Sequence, residues 1–221
     1  MALNILIITG PTRERIDDVR YISNFSSGKM GLGLARAATD CIVEIVSGPV
    51  RIEYPSQCNV TFVESACEML TSAQEKAEVA DIIICCAAVC DYRPKTKYSG
   101  KLKKGADDES LSTLELVPNP DILATLSASK RENQVIVGFA AESSNLIENA
   151  KAKLINKGCD MIVANDVSNS QTFGSDESKI FIITKDEVIE VPKQSKDKNA
   201  EEILVHAKSE LDNRVNFSKF S

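Results

Sequence analysis

Histidine is nearly absent: His206 is the one such residue in 221. Most Ser-His-Asp and Cys-His schemes need an imidazole beside the nucleophile, so they are excluded. The seven cysteines (Cys41, Cys58, Cys67, Cys85, Cys86, Cys90, Cys159) are odd in number and contain no CxxC pair. Neither a zinc site nor a framework of disulfides is expected from them. Cys85 and Cys86 lie in an apolar run, where a thiol in a reducing compartment behaves as a small buried hydrophobe. No apolar run approaches the roughly 20 residues of a membrane span. The start, MALNILIITG, has no basic residues ahead of its apolar stretch, which argues against a signal peptide. A cytoplasmic protein with no membrane partner is expected. No Pro-, Gly- or Ser-rich linker interrupts the chain, so one domain over 1–221 is the simplest organisation. The net charge of −6 lacks the basic excess that a phosphate backbone attracts, so nucleic acid is excluded as a partner.

What is present is an alternation of short apolar runs and helical spacings. Asn4 to Thr9 (NILIIT), Val43 to Val46, Asp81 to Cys86 (DIIICC), Val135 to Ala140 (VIVGFA) and Asp160 to Ala164 (DMIVA) read as buried strands. Helical spacing covers Gly28 to Thr39, Ser65 to Ala77 and about Ser143 to Lys157, and Asn119-Pro120-Asp121 opens another helix with Asn119 as cap and Pro120 at its first position. Leu111 to Val117 alternates like an edge strand, Lys179 to Thr184 with Glu187 to Val191 fits a hairpin, and Asn199 to Leu211 fits a last helix, leaving 212–221 as a loose tail. Such alternation implies right-handed βαβ units and an α/β fold with a doubly wound, mostly parallel sheet. The polar stretch Ala87 to Ser110 breaks the rhythm, and a loop of that length is functional or mobile.

Ligands of open α/β sheets bind beyond the carboxyl ends of the strands. The loops there begin at Gly10 (GPTRE), Ser47 (SGP), Ala87 (AAVCDYRP), Ala140 (AAES) and Asn165 (NDVS), and their small residues let a planar or phosphorylated ligand approach the backbone. Between the first strand and its helix lies RYISNFSSGKMGLG. It is no P-loop: Ser23 occupies the place of the first glycine, and Met30 follows Ser27-Gly28-Lys29. It is no dinucleotide fingerprint either, because Gly28, Gly31 and Gly33 come about twenty residues after the strand and in GxxGxG order. Two readings remain. Ser26, Ser27 and Gly28 either hold an anion at a helix N-terminus or merely cap it.

The remaining polar groups are equally divided. Lys101-Leu102-Lys103-Lys104, preceded by Lys95 and Lys97, is either a solvated surface or a set of point charges for phosphate oxygens. Lys153 and Lys157 share one helix face at i,i+4, again solvated or ligand-directed. Asp91, Asp121, Glu142 and Asp166 stand near strand ends, where a carboxylate can accept from a ribose or hold Mg²⁺ through water. With no histidine nearby and no nucleophile elbow, electrostatic and positional catalysis on a nucleotide is expected, such as nucleotidyl or phosphoryl transfer.

In order, the segments GPTRERIDDVRYISNFSSGKMG, AAVCDYRP followed by KLKK, NPDIL, VGFAAES and IVANDV resemble the phosphopantothenate–cysteine ligase family (phosphopantothenoylcysteine synthetase) of bacterial type, over about residues 4–185. The resemblance implies a modified Rossmann-like sheet with an added antiparallel dimerisation element, and a mobile lysine loop and dimerisation segment over about 87–118. It implies the joining of 4'-phosphopantothenate and cysteine with CTP and Mg²⁺, the metal arriving on the nucleotide phosphates. The substrate carboxylate attacks the α-phosphate to give an acyl-cytidylate and pyrophosphate, and the cysteine amine then releases CMP.

Catalytic roles fall by resemblance on Asn24, which holds the acyl-cytidylate, on Lys101, which stabilises phosphate charge, and on Arg20. Phosphopantothenate falls to Ser26, Ser27, Gly28, Lys29, Ala87 and Ala88. Nucleotide contacts fall to Gly10, Thr12, Asp91, Pro120, Asp121, Ile122, Leu123, Phe139, Lys153 and Lys157. The resemblance also implies a homodimer contributing across its interface, and a functional link to a flavin-dependent decarboxylase that is fused in many bacterial relatives. Two positions depart from the pattern: Phe25 replaces a histidine and Cys90 a small residue. The alternatives are a short-chain type NAD(P)-dependent oxidoreductase, whose Tyr-x-x-x-Lys dyad neither Tyr21 nor Tyr92 provides, and a binding module that does not turn over CTP.

Overall fold

The computed structural model describes residues 2–103, 113–142, 144–166 and 176–218, with backbone alone at Asp166 and 216–218. Expectations for Lys104, Ser143, Ser168, the start of the 111–117 stretch and the Asp166 carboxylate lie outside the described residues. In chain order the elements are β1 (Asn4–Thr9), β2 (Arg13–Arg15), β3 (Tyr21–Ser23), α1 (Lys29–Ala37), β4 (Ile42–Ser47), β5 (Asn59–Phe62), α2 (Ala66–Ala77), β6 (Ile82–Cys85) and β7 (Tyr92–Pro94). They continue with β8 (Leu116–Pro118), α3 (Ile122–Ala128), β9 (Val135–Glu142), α4 (Leu146–Lys157), β10 (Met161–Asp166), β11 (Glu177–Thr184), β12 (Val188–Ser195) and α5 (Lys196–Ser218).

Ile5, Leu6, Ile7 and Ile8 are each at most 1% exposed, and burying such a side chain is worth about 1.5–3 kcal/mol. A run that is apolar on both faces needs cover on both. Ile5 and Ile7 pack with Leu34 of α1 and Ile203, Leu204 and Ala207 of α5; Leu6 and Ile8 pack with Met69 of α2, Leu126 of α3 and Leu154 of α4. β1 is therefore the centre of a doubly wound sheet, as its composition predicts.

The sheet order is β12-β11-β10-β9-β6-β1-β4-β5, parallel from β10 to β5, with β11 and β12 added antiparallel at one edge. The chain winds outward from β1 through β4 to β5, then returns to place β6 on the other side of β1. That reversal is a topological switch point, and it opens a crevice at the carboxyl ends of β1 and β6.

Several boundaries differ from the sequence reading. The α3 cap is Asp121, whose carboxylate accepts from Ala124 N–H at 2.9 Å. Asn119 instead donates to the Cys90 carbonyl at 2.8 Å, so the Asn-Pro pair sets the approach to the helix and not its first turn. α4 starts at Leu146 after Asn145 in the left-handed conformation. The strand expected over 111–117 is β8, which pairs antiparallel with β7. α5 runs to Ser218, because the Arg214 guanidinium donates to the Gln134 carbonyl and pairs with Asp160; residues 212–218 are helix and not a loose tail. β2 and β3 form a further small antiparallel sheet.

Candidate active site

Two adjoining cavities occupy the crevice. The smaller, about 260 Å³, lies between the loop after β6 and the start of α3; the larger, about 830 Å³, extends to the start of α1 and to α5. Ala87, Val89, Asp91, Phe139 and Lys153 line both, so they form one continuous cleft of a size for a nucleotide and a second substrate.

In the smaller cavity, Lys153 donates to the Phe139 carbonyl at 2.7 Å and Lys157, one turn on, pairs with Asp121. Burial and the neighbouring Lys157 push the Lys153 ammonium below its ordinary value. Burial pushes Asp121 upward, but Lys157, the Ala124 N–H and Lys153 outweigh it and leave the carboxyl below its ordinary range. These lysines are not a solvated face: α4 turns both toward the α3 start, where an anion would be met by two cations. Asn119 fixes the opposite wall, accepting from Arg93 at 3.1 Å while donating to Cys90, and Arg93 also holds the Pro118 carbonyl at 2.7 Å.

Asn24 reaches the seam between the two cavities, its amide donating to the Val89 carbonyl at 2.9 Å. Beyond it, Ser26, Ser27, Gly28 and Lys29 line the larger cavity. Gly28 is the N-cap of α1 at φ 72°, where an added Cβ would also lie 2.9 Å from Val50. Only glycine fits there. Ser26 Oγ accepts from the N–H of Gly28 at 3.4 Å, but no side chain reaches the N–H groups of the first turn, so the serines do not cap the helix proper and those groups are left available. Gly31 seats the helix against β1, since a Cβ there would lie 2.2 Å from Thr9 Oγ1.

The described cysteines are all free. Burial raises the thiols of Cys85 and Cys86, the latter to about 12, so they stay protonated near neutral pH and behave as the small hydrophobes that their sequence context suggests.

The match to known proteins extends over this whole assembly. Residues 2–211 fit the family model for the DNA/pantothenate metabolism flavoprotein C-terminal domain. The chain belongs to that family. It is 43% identical over 203 residues to the coenzyme A biosynthesis bifunctional protein CoaBC of Vibrio cholerae, covering 90% of this chain and 51% of the relative. The chain thus spans about half the length of the curated relatives it matches. Its fold superposes on the crystal structure of the C-terminal domain of CoaBC with a TM-score of 0.81 at 39% identity, covering 96% of each chain. A Cab2 mutant in complex with phosphopantothenate-cysteine shares the fold at TM-score 0.77 and 16% identity, over 98% of this chain and 89% of that one.

Within this member of the family, the residues singled out by sequence divide into two groups. Asn24, Ser26 to Lys29, Ala87, Ala88, Asp91, Pro120 to Leu123, Phe139, Lys153 and Lys157 all line the cleft. Gly10, Thr12, Arg20 and Lys101 do not. Thr12 is buried, its hydroxyl accepting from Cys90 N–H at 3.0 Å and its own N–H donating to the Ala88 carbonyl, so it braces the crossing between β1 and β6. Gly10 packs against Gly48. Arg20 pairs with Asp17. Lys196 lines the larger cavity unannounced by any motif, and Asn165, which stands in the IVANDV segment, lines it without having been given a contact by sequence.

Proposed function

We propose that the chain is a ligase that joins 4'-phosphopantothenate to cysteine, giving 4'-phosphopantothenoyl-cysteine, through an acyl-cytidylate made from CTP. The observation that carries this reading is the continuity of the cleft: a nucleotide-sized pocket with two lysines meets an uncapped helix N-terminus, and Asn24 stands between them. The identity to the CoaBC C-terminal domain and the ligand named for the Cab2 complex support the same substrates.

In this reading cytidine and its phosphates occupy the pocket of Lys153, Lys157 and Asp121. The phosphate of phosphopantothenate meets the α1 N-terminus at Ser26 to Lys29. A carboxylate oxygen attacks the α-phosphorus and pyrophosphate leaves; the neutral amine of cysteine then attacks the acyl carbon, expels CMP and loses a proton. Asn24 holds the mixed anhydride, while Lys101 and Arg20 offset charge on the phosphates. Mg²⁺ would neutralise the triphosphate when bound. The described residues contain no group of three His, Cys, Asp or Glu side chains able to cage it, so it fits as a nucleotide-borne ion with Asp91 reaching it through water.

Arg20 and Lys101 stand outside the cleft of their own chain, the first on the turn between β2 and β3 and the second beside it. Val19 of that turn and Tyr21, Tyr92 and Leu116 of the two small sheets are exposed, with the Arg13 guanidinium stacked on Tyr21 at 4.7 Å. We infer a C2 homodimer closed by these sheets, in which each protomer supplies its lysine segment to its partner's cleft. The product keeps the cysteine carboxyl, and a flavin-dependent decarboxylase is the consuming step we assign. The test supplies phosphopantothenate, cysteine and each nucleoside triphosphate in turn. Pyrophosphate release and amide formation are expected with CTP; no release with any triphosphate would overturn the reading.

A further inference from the structure

We propose that Asp17, assisted by Asp18, is a positioning residue that fastens the segment carrying Lys101 to the turn between β2 and β3. The inference rests on the phosphate-stabilising role given to Lys101 above. A lysine side chain is long and flexible, so its usefulness to a transition state depends on how firmly its backbone is held.

Asp17 is fully buried, and its two carboxylate oxygens do different work. Oδ1 accepts from the N–H groups of Val19 and Arg20, both at 2.8 Å, which builds the local turn. A turn of that kind needs nothing more from the side chain. Oδ2 faces the lysine segment: it accepts from Leu102 N–H at 3.1 Å and from Arg20 Nε at 3.0 Å, and pairs with the Arg20 terminal nitrogen. The same Arg20 nitrogen donates to the Leu102 carbonyl at 3.1 Å, so both backbone groups of Leu102 are tied to the Asp17–Arg20 pair.

The other neighbour of Lys101 is tied as well. Gly100, at φ 74°, donates its N–H to Asp18 Oδ2 at 2.8 Å, and Tyr98 N–H reaches the Ile16 carbonyl at 2.9 Å. Lys101 is thus flanked by anchored residues while its own side chain is left out of the latch. Charge supports the arrangement, because Arg20, followed by the Val19, Leu102 and Arg20 N–H groups, holds the Asp17 carboxyl well below its ordinary range against the effect of burial. Five donors on one carboxylate, one of them 85 residues away in sequence, exceed what a local turn requires.

Asp17→Asn tests this, because the amide can keep the Oδ1 acceptor while replacing Oδ2 by a donor facing Leu102 N–H. Amide exchange at Gly100 and Leu102 should quicken about 10-fold or more, with the β1 amides unchanged. The rate of pyrophosphate release should fall about 10-fold at an unaltered KM for CTP, and adding Asp17→Asn to Lys101→Gln should cost almost nothing further. Unchanged exchange would overturn the latch, and fully additive losses in the double variant would reduce Asp17 to a folding element. If Asp17→Asn does not fold, the exposed Asp18→Ala serves instead, with faster exchange at Gly100 expected and unchanged exchange contradicting the proposal. Amide exchange does not depend on turnover, so a wild-type chain that releases no pyrophosphate would count against the ligase reading alone.

Discussion

The ammonium group of Lys153 lies 2.7 Å from the carbonyl oxygen of Phe139, which aims a partly desolvated cation along the floor of the cleft. Removing it by Lys153→Met should weaken CTP binding about 10- to 100-fold, the range of a charge-assisted hydrogen bond of ~1.5–3 kcal/mol. Calorimetric titration measures this directly, and unchanged affinity would place the phosphates elsewhere.

The same lysine sets a pH dependence. Its pKa is lowered in the free protein by burial and by Lys157, and a bound anion restores the charged form, so binding takes up a proton. CTP affinity should therefore fall as pH rises through the lowered value, at less alkaline pH than an ordinary lysine would give. The slope should vanish in Lys153→Met; a slope that survives there would assign the effect to another group.

Asn24→Asp replaces a donor to the Val89 carbonyl by a carboxylate that repels it. Pyrophosphate release is expected to persist while amide formation is lost, with acyl-cytidylate escaping or accumulating. Full amide yield in a quenched-flow experiment would take Asn24 out of the mechanism.

Asn24 and Lys101 also test the dimer. Mixing inactive Asn24→Asp and Lys101→Gln proteins under subunit exchange should restore about a quarter of wild-type amide formation, because half the dimers are mixed and carry one intact site of two. No recovery despite demonstrated exchange would mean that each cleft uses its own lysine.

Arg214→Ala should remove about 2 kcal/mol of stability, a value between exposed and buried pairs since Asp160 is 6% and Arg214 29% exposed. For a chain of this length that is a drop of about 4–8 °C in melting temperature. An unchanged melting point would make the end of α5 the loose tail that its sequence suggests.

The end of α5 was misread from sequence, whereas the central strands were not. β1, β6, β9 and β10 were legible because apolar runs buried on both faces carry their own signal, and the alternation with helices made the parallel winding the simplest outcome. Most cleft residues were legible because they follow those strands. What was not legible depends on contacts far apart in the chain. Arg214 extends α5 only because Asp160 stands 54 positions earlier, and Asn119 leaves the cap to Asp121 because the Cys90 carbonyl is within reach. Thr12 read as a ligand contact from its place after β1, yet its hydroxyl is taken by Cys90 N–H. Lys196 belongs to no motif and enters the cleft only because α5 packs beside α1, where Gly33 leaves room for Ala200.

The route of one oxygen atom tests the account most directly. With phosphopantothenate labelled by ¹⁸O in its carboxylate, the reading requires that one carboxylate oxygen become the bridge to the α-phosphorus and leave on CMP. Mass spectrometry of the released nucleotide should find one ¹⁸O in CMP and none in pyrophosphate. Label absent from CMP, or present in inorganic phosphate or pyrophosphate, would contradict an acyl-cytidylate and with it the central claim.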